Sequence, residues 1–333
     1  MTSDLDWDSK SRALVHPRRG SHVVLPKASV TVAWAKVKKA WGAKLKKQVA
    51  SGRKKATRED RALIDAAVAS FAKKSPPEKP DAAAEGVRAQ LLGMEAHFNN
   101  MDRALLDAHD ALVHLWCVAY GVPFAVSAMI ETFKTARVDI FTSIYVSRAP
   151  TAFGTFANLN RYRSHTDPID LTPWHVLRAH VAASDDATYA KARAVAEPFH
   201  EAGADVLFRC ALSFVFPDEE AWARKTLAKC EYEIQAKTPS IYYCGHTLLT
   251  CFRDKPTLKR LMSLGAYHPE LAYTLLDALG ADAFPMLRTY YEKQRMVSEK
   301  KKAFMPLVLV QTPSAIEWLR KQRHDPVVGK FVP

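Results

Sequence analysis

MDRALLDAHDALVHLWCVAYGVPFAVSAMIETFKTA, residues 101–136, decides the fold class. Leu105, Leu112 and Trp116 recur at spacings of 7 and 4, which places them on one face of an α-helix. Gly121-Val122-Pro123 breaks the run, and PFAVSAMIETFKTA then resumes the same period. GVRAQLLGMEAHF (86–98) precedes it across an Asn99-Asn100 breaker. Helix follows helix with short connections, so the expected class is all-α.

Toward the C-terminus the least helical stretch is 138–172, which is β-branched, aromatic and turn-rich. It reads as an irregular insert carrying a short hairpin. Helical segments resume with TPWHVLRAHVAAS (172–184) and continue to TPSAIEWLRKQR (312–323). Pro217, Pro269 and Pro313 are expected to open helices, at intervals in the forties and fifties. Pro217 and Pro313 share a frame, each followed five residues on by a tryptophan (Trp222, Trp318) and then x-Arg-Lys. LLDALGADAFPMLRTYY (275–291) reads as a helix, a Leu-Gly turn and a second helix containing proline. Repeats of this length with paired helices are the mark of HEAT-type α-solenoids, whose units must stack because none buries its apolar face alone. The expected architecture is an irregular HEAT-like helical-repeat body over 81–333, and an irregular helical bundle is its alternative.

The N-terminal end differs in charge. Residues 1–80 hold 19 Lys and Arg against 7 Asp and Glu, whereas the remaining 253 residues hold 29 against 28. Residues 1–26 lack periodicity and read as a mobile or loosely docked lead-in. From Lys27 to Lys55 there are ten basic residues and no acidic one. Val30, Trp34, Val37, Trp41, Leu45 and Val49 form a helical apolar stripe within it, and Gly52 is expected to end that helix. RALIDAAVASFAKK (61–74) follows as a second helix, and SPPEKPDAAAE (75–85) marks the end of this basic module near residue 80.

The candidate contact residues are Lys36, Lys38, Lys39, Lys44, Lys46, Lys47, Arg53, Lys54 and Lys55, which would meet an anionic partner. The bland alternative is that Trp34 and Trp41 pack into the body and the lysines form a solvated face; the tryptophans are expected in the core. Two clusters resemble metal ligands. Asp107, Asp110, His114 and Cys117, with His109 nearby, share a helical edge, and Cys244-x-His246-x4-Cys251 follows Cys230. Neither has the spacing of a zinc finger or ribbon, and both read as helix packing. No metal and no cofactor is expected. The sequence has no nucleophile elbow, P-loop, G-x-G-x-x-G or H-E-x-x-H motif, so no catalytic residue is assigned and the enzyme classes recognisable by short motif are disfavoured.

Five cysteines, an odd number without framework spacing, read as reduced thiols. The longest apolar runs, such as Leu307–Val310, are far short of a membrane span. The polar, acidic N-terminus MTSDLDWDSK is not a signal peptide. The expected compartment is the cytoplasm.

LWCVAYGVPFAVSAMIETF (115–133), WHVLRAHVAASDDATYAKARAVAEPFHEAG (174–203) and FRCALSFVFPDEEAWA (208–223) together resemble the N-terminal helical portion of large bacterial MolR-like proteins. Those proteins combine HEAT-like helices, often a WGR domain, and a C-terminal domain of unknown function. The resemblance covers roughly residues 20–330 and implies a helical-repeat binding module with no catalytic residues to carry over. A recognisable WGR segment is missing, since Trp41-Gly42-Ala43 is not one in context, and the chain is expected to lack any activity the larger relatives house downstream.

The functional expectation is therefore a non-enzymatic interaction or scaffold protein, its cationic N-terminal surface meeting an acidic protein. Nucleic acid is the second candidate partner and an anionic membrane surface the last. The alternative from another class is a DNA-binding HEAT-like protein, even a nucleic-acid-modifying enzyme such as an alkylpurine DNA glycosylase. Such an enzyme would want a carboxylate beside aromatics, for which Asp254, or Asp170 with Trp174, would be the candidates.

Overall fold

The computed structural model describes residues 5, 8, 11–12, 14–21, 23–42, 46, 49–50, 53, 58–98, 103–134, 136–137, 146–147, 172–201, 206–235, 239–265, 267, 271–325 and 329. These residues are mostly helical, and the chain is all-α in class. They fall into two compact units, one made of 18–163 and 169–216, the other of 1–17, 164–168 and 217–333.

The first unit contains α1 (Val30–Ala40), α2 (Arg58–Ala69), α3 (Ala82–Phe98), α4 (Arg103–Ala119), α5 (Val122–Lys134), α6 (Thr172–Ala182), α7 (Asp186–Glu201) and α8 (Val206–Val215). α4 packs against α1, α3, α5 and α6; α5 also packs against α3 and α7; α2 packs against α3, and α8 against α6 and α7. The apolar stripe of α4 explains its place among them: Leu105, Leu112 and Trp116 are all buried. Gly121 adopts a left-handed φ of 89° and turns the chain from α4 into α5, whose second residue is Pro123. Two two-residue strands, Ala136–Arg137 and Val146–Ser147, pair antiparallel with Ala136 opposite Ser147. Of the stretch 138–172 read as an irregular insert with a short hairpin, Val146–Ser147 lies inside and its partner strand just ahead of it; the rest of 138–171 lies outside the described residues.

α3 and α5 approach closely at Gly86. A Cβ there would sit 2.7 Å from the Thr132 backbone nitrogen and 2.8 Å from the Glu131 carbonyl carbon. Only glycine fits so near another helix's main chain.

The second unit contains α9 (Glu220–Gln235), α10 (Pro239–Leu249), α11 (Lys255–Ser263), α12 (Ala272–Leu279), α13 (Phe284–Lys293), α14 (Val297–Phe304) and α15 (Pro313–Lys321). The 275–291 reading holds: α12 ends at Gly280, at φ 59°, a 3-10 turn covers Gly280–Ala283, and Pro285 lies in the first turn of α13. Pro313 opens α15 behind the Thr312 N-cap, whose hydroxyl accepts from the Ala315 N–H. Pro217 instead lies in the turn before α9, which starts at Glu220, and Pro269 lies outside the described residues. Tyr291, Phe304 and Trp318 join α13, α14 and α15 around one aromatic cluster. Residues before 18 belong to this unit: Leu5 makes a β-bridge with Val310, and the His16 N–H donates to Thr274 Oγ1 at 3.0 Å.

Candidate functional site

The cationic segment begins with a well-formed helix. Ser29 caps α1 by accepting the Val32 N–H, and Ala33, Trp34 and Val37 turn inward at helical spacing. α1 is shorter than its apolar stripe predicts. It stops at Ala40, where Trp41 leaves helical geometry (ψ 60°) and gives its N–H to the Lys38 carbonyl. Gly42 follows, its N–H donating to the Ala40 carbonyl at 2.8 Å. Val49 is buried further on. Leu45 and Gly52 lie outside the described residues.

Both tryptophans pack inward, against the same ring. The Trp34 ring, 2% exposed, lies parallel to Phe71 at 6.4 Å between centroids, and half-buried Trp41 stacks on Phe71 at 4.5 Å. The expectation that they serve the core is therefore met fully by Trp34 and in part by Trp41.

With the stripe turned inward, the lysines face out. Lys36, Lys39 and Lys46 are exposed and Lys38 is half-buried. Arg53 is exposed but engaged: its Nε and Nη2 donate to the Asp65 carboxylate at 2.5 and 2.7 Å. This bidentate pair raises the guanidinium pKa and lowers that of the carboxyl. Lys44, Lys47, Lys54 and Lys55 lie outside the described residues.

Behind α1 sits a buried polar cluster that no sequence motif announces. Arg88 and Glu85, one turn apart on α3, form an ion pair with both side chains 2% exposed. The Trp116 indole N–H donates to Glu85 Oε2 at 2.8 Å, and Arg88 donates to the Ala67 carbonyl and to the Ser70 hydroxyl. The Arg88 guanidinium also lies 5.8 Å from the Trp34 ring centroid and 5.3 Å from that of Phe71. One ion pair thus ties α2, α3 and α4 together beneath α1. Nearby, Tyr120 donates to the Pro77 carbonyl at 2.8 Å; burial, then the Glu85 charge, pushes its hydroxyl up to about 12.

A second buried contact holds the entry to α1. His114 Nε2 lies 2.8 Å from the Ala28 carbonyl, and His114 Nδ1 lies 3.0 Å from His180 Nε2. A carbonyl only accepts, so His114 carries its proton on Nε2 and, in the neutral pair, accepts from His180 through Nδ1. Burial, then the neighbouring His114, pushes His180 down to about 4. His114 thus turns to His180 on α6, a partner 66 residues away that no spacing on α4 could reveal.

Among the described residues no three His, Cys, Asp or Glu groups converge to hold a metal. Cys117, Cys230, Cys244 and Cys251 are buried free thiols, as is Cys210. Asp254 is the N-cap of α11, accepting the Thr257 N–H and pairing with Arg224, which together lower its carboxyl pKa against the cost of burial. Trp174 is buried, and Asp170 lies outside the described residues.

The charge is also divided more finely than the N-terminal excess suggests. Residues 81–254 carry 16 Lys and Arg against 21 Asp and Glu, and 255–333 carry 13 against 7. The near-neutral remainder is an acidic stretch followed by a basic one.

The family model described as the YehI second domain matches residues 32–263. The chain belongs to that family, its matched region running from the first turn of α1 to the last residue of α11. Comparison with curated proteins and with solved structures returns no match.

Proposed function

We propose that this protein is a non-enzymatic helical interaction protein whose N-terminal cationic surface binds an acidic protein partner. The observation behind it is the two-sidedness of α1: Ala33, Trp34 and Val37 are committed to packing while Lys36 and Lys39 are exposed, inside a stretch with ten basic residues and no acidic one. The exposed charges of α1 are all cationic, and although Val32 is also exposed, Trp34 is committed to the core; this suits an acidic partner better than a bilayer, where insertion would need Trp34.

The body behind it is a HEAT-like stack in this proposal. The support is that α3 packs on α5 and α5 on α7, while α4 packs on α6 and α6 on α8, as alternate helices do when helical pairs are piled. Kinship with MolR-like proteins and a cytoplasmic setting belong to the same proposal, the latter supported by five buried free cysteines. Among the described residues no helix is long and apolar enough to cross a membrane.

The test is cross-linking and affinity capture from the cells that make the protein, comparing wild type with a K36E/K38E/K39E/K46E variant. The expected result is an acidic protein captured by the wild type, released by salt, and lost in the folded variant. A monomer that recovers no macromolecule and turns over a small molecule overturns the reading. Capture of duplex DNA in place of protein, with a steep salt dependence, transfers the surface to nucleic acid.

A further inference from the structure

Eight large apolar side chains are more than about two-fifths exposed among the described residues, and three of them fall within ten positions: Met296 (58%), Val297 (65%) and Met305 (40%). They bracket α14. Ala303 and Phe304 are buried, Phe304 in the aromatic cluster, while Val297, Lys301 and Lys302 on the helix and Met296 and Met305 at its two ends are exposed. Lys293 and Arg295 immediately before the helix are exposed as well. The charged groups here are strongly one-sided. Residues 293–305 hold five basic residues and one acid, Glu299, which is paired with Lys302. Lys300 is turned to Asp325 and takes no part in the outward face.

Aliphatic tips ringed by cations are the pattern of a surface that enters the headgroup layer of an anionic bilayer. A nucleic acid would use the cations and leave Val297 and the two methionines without a role. A protein partner for an outward-facing helix would need to supply a groove lined with acids, whereas a lipid surface conforms to the helix by itself. The face lies outside the matched 32–263 region and on a different unit from α1, so it is independent of the contact proposed above.

We propose that the α14 face, Lys293 to Met305, docks on anionic phospholipid, with Met296, Val297 and Met305 inserted and Lys293, Arg295, Lys301 and Lys302 against the phosphates. The docking is peripheral and reversible. Each cation near such a surface strengthens partitioning by about fivefold, and salt weakens it.

The experiment is co-sedimentation of the full chain with vesicles of phosphatidylserine in phosphatidylcholine, against pure phosphatidylcholine, at low and high salt. The expected result is sedimentation with the anionic vesicles alone, reduced by salt. K301E/K302E lowers it at least about tenfold, since two cations are lost and two repulsions gained. M296S/V297S lowers it too, and K36E/K39E leaves it unchanged. Each variant is checked for unchanged Tm, as exposed side chains allow. No binding to anionic vesicles at low salt, loss in K36E/K39E in place of K301E/K302E, or indifference to M296S/V297S overturns the proposal. Retention on immobilised poly-glutamate through Lys301 and Lys302, without vesicle binding, overturns it in favour of an acidic protein.

Discussion

At the scale of single residues, Trp34 and His180 carry the sharpest consequences. Trp34 is enclosed by Phe71, Arg88 and the α4 surface, so Trp34→Ala opens a large cavity and is expected to cost about 3–5 kcal/mol in urea denaturation. Trp41→Ala removes a half-buried stack and costs less. Lys36→Glu and Lys39→Glu change stability by no more than about 0.5 kcal/mol, because those side chains are exposed. His180 gives stability a pH dependence. Its folded-state pKa of about 4 lies below the ordinary 6.5, so the folded state binds fewer protons than the unfolded chain. The contribution is complete above pH 6.5 and declines as pH falls from 6.5 towards 4, by up to about 3 kcal/mol for this histidine. His175, pushed down to about 4 by burial and then by Arg178, acts in the same window with the same sign. His180→Gln should therefore flatten, without abolishing, the fall in urea midpoint between pH 6.5 and 4.5; an unchanged slope would show that His180 is not buried as neutral imidazole.

At the scale of elements, the first unit depends on two close arrangements. The Glu85–Arg88 pair is already desolvated, so Arg88→Met leaves a buried carboxylate that keeps the Trp116 indole but loses its counter-charge, and is expected to cost about 3–5 kcal/mol. A joint Glu85→Leu, Arg88→Met change should recover a large part of that loss, which a double-mutant cycle by denaturation would measure. Gly86→Ala tests the other arrangement. Its methyl would meet the α5 backbone, which cannot swing aside as a side chain does, and the expected loss is about 1–3 kcal/mol with α3 pushed away from α5. Much of this level is legible in the chain. The α4 and α5 runs, the Gly-Val-Pro break, the Leu-Gly turn at 279–280 and the Pro313 start all rest on local chemistry, and local chemistry acts within a few residues. The premature end of α1 is different: the stripe 30–49 keeps helical spacing past Trp41, yet stacking on Phe71 sets Trp41 at a helix end, and Phe71 is thirty residues downstream.

At the scale of the whole molecule, charge is partitioned into a basic start, an acidic middle and a basic end. Partner capture through the N-terminal segment should weaken linearly on a log–log salt plot, since each displaced counterion contributes to the slope; for duplex DNA the expected value is about −0.9 per phosphate neutralised. Vesicle binding through α14 should survive mutations that abolish that capture, and the reverse. The sequence by itself determined the all-α class, the cationic segment and the inward role of Trp34, because helical period and net charge are sums over neighbours in the chain. Only the tertiary structure decided that Arg53 is spent on Asp65, that His114 faces His180, that Glu85 and Arg88 are buried together, and that Val297, Lys301 and Met305 are all left exposed. Each of those depends on which side of a helix another helix covers, and that is set by packing between segments tens of residues apart, where no local pattern reaches.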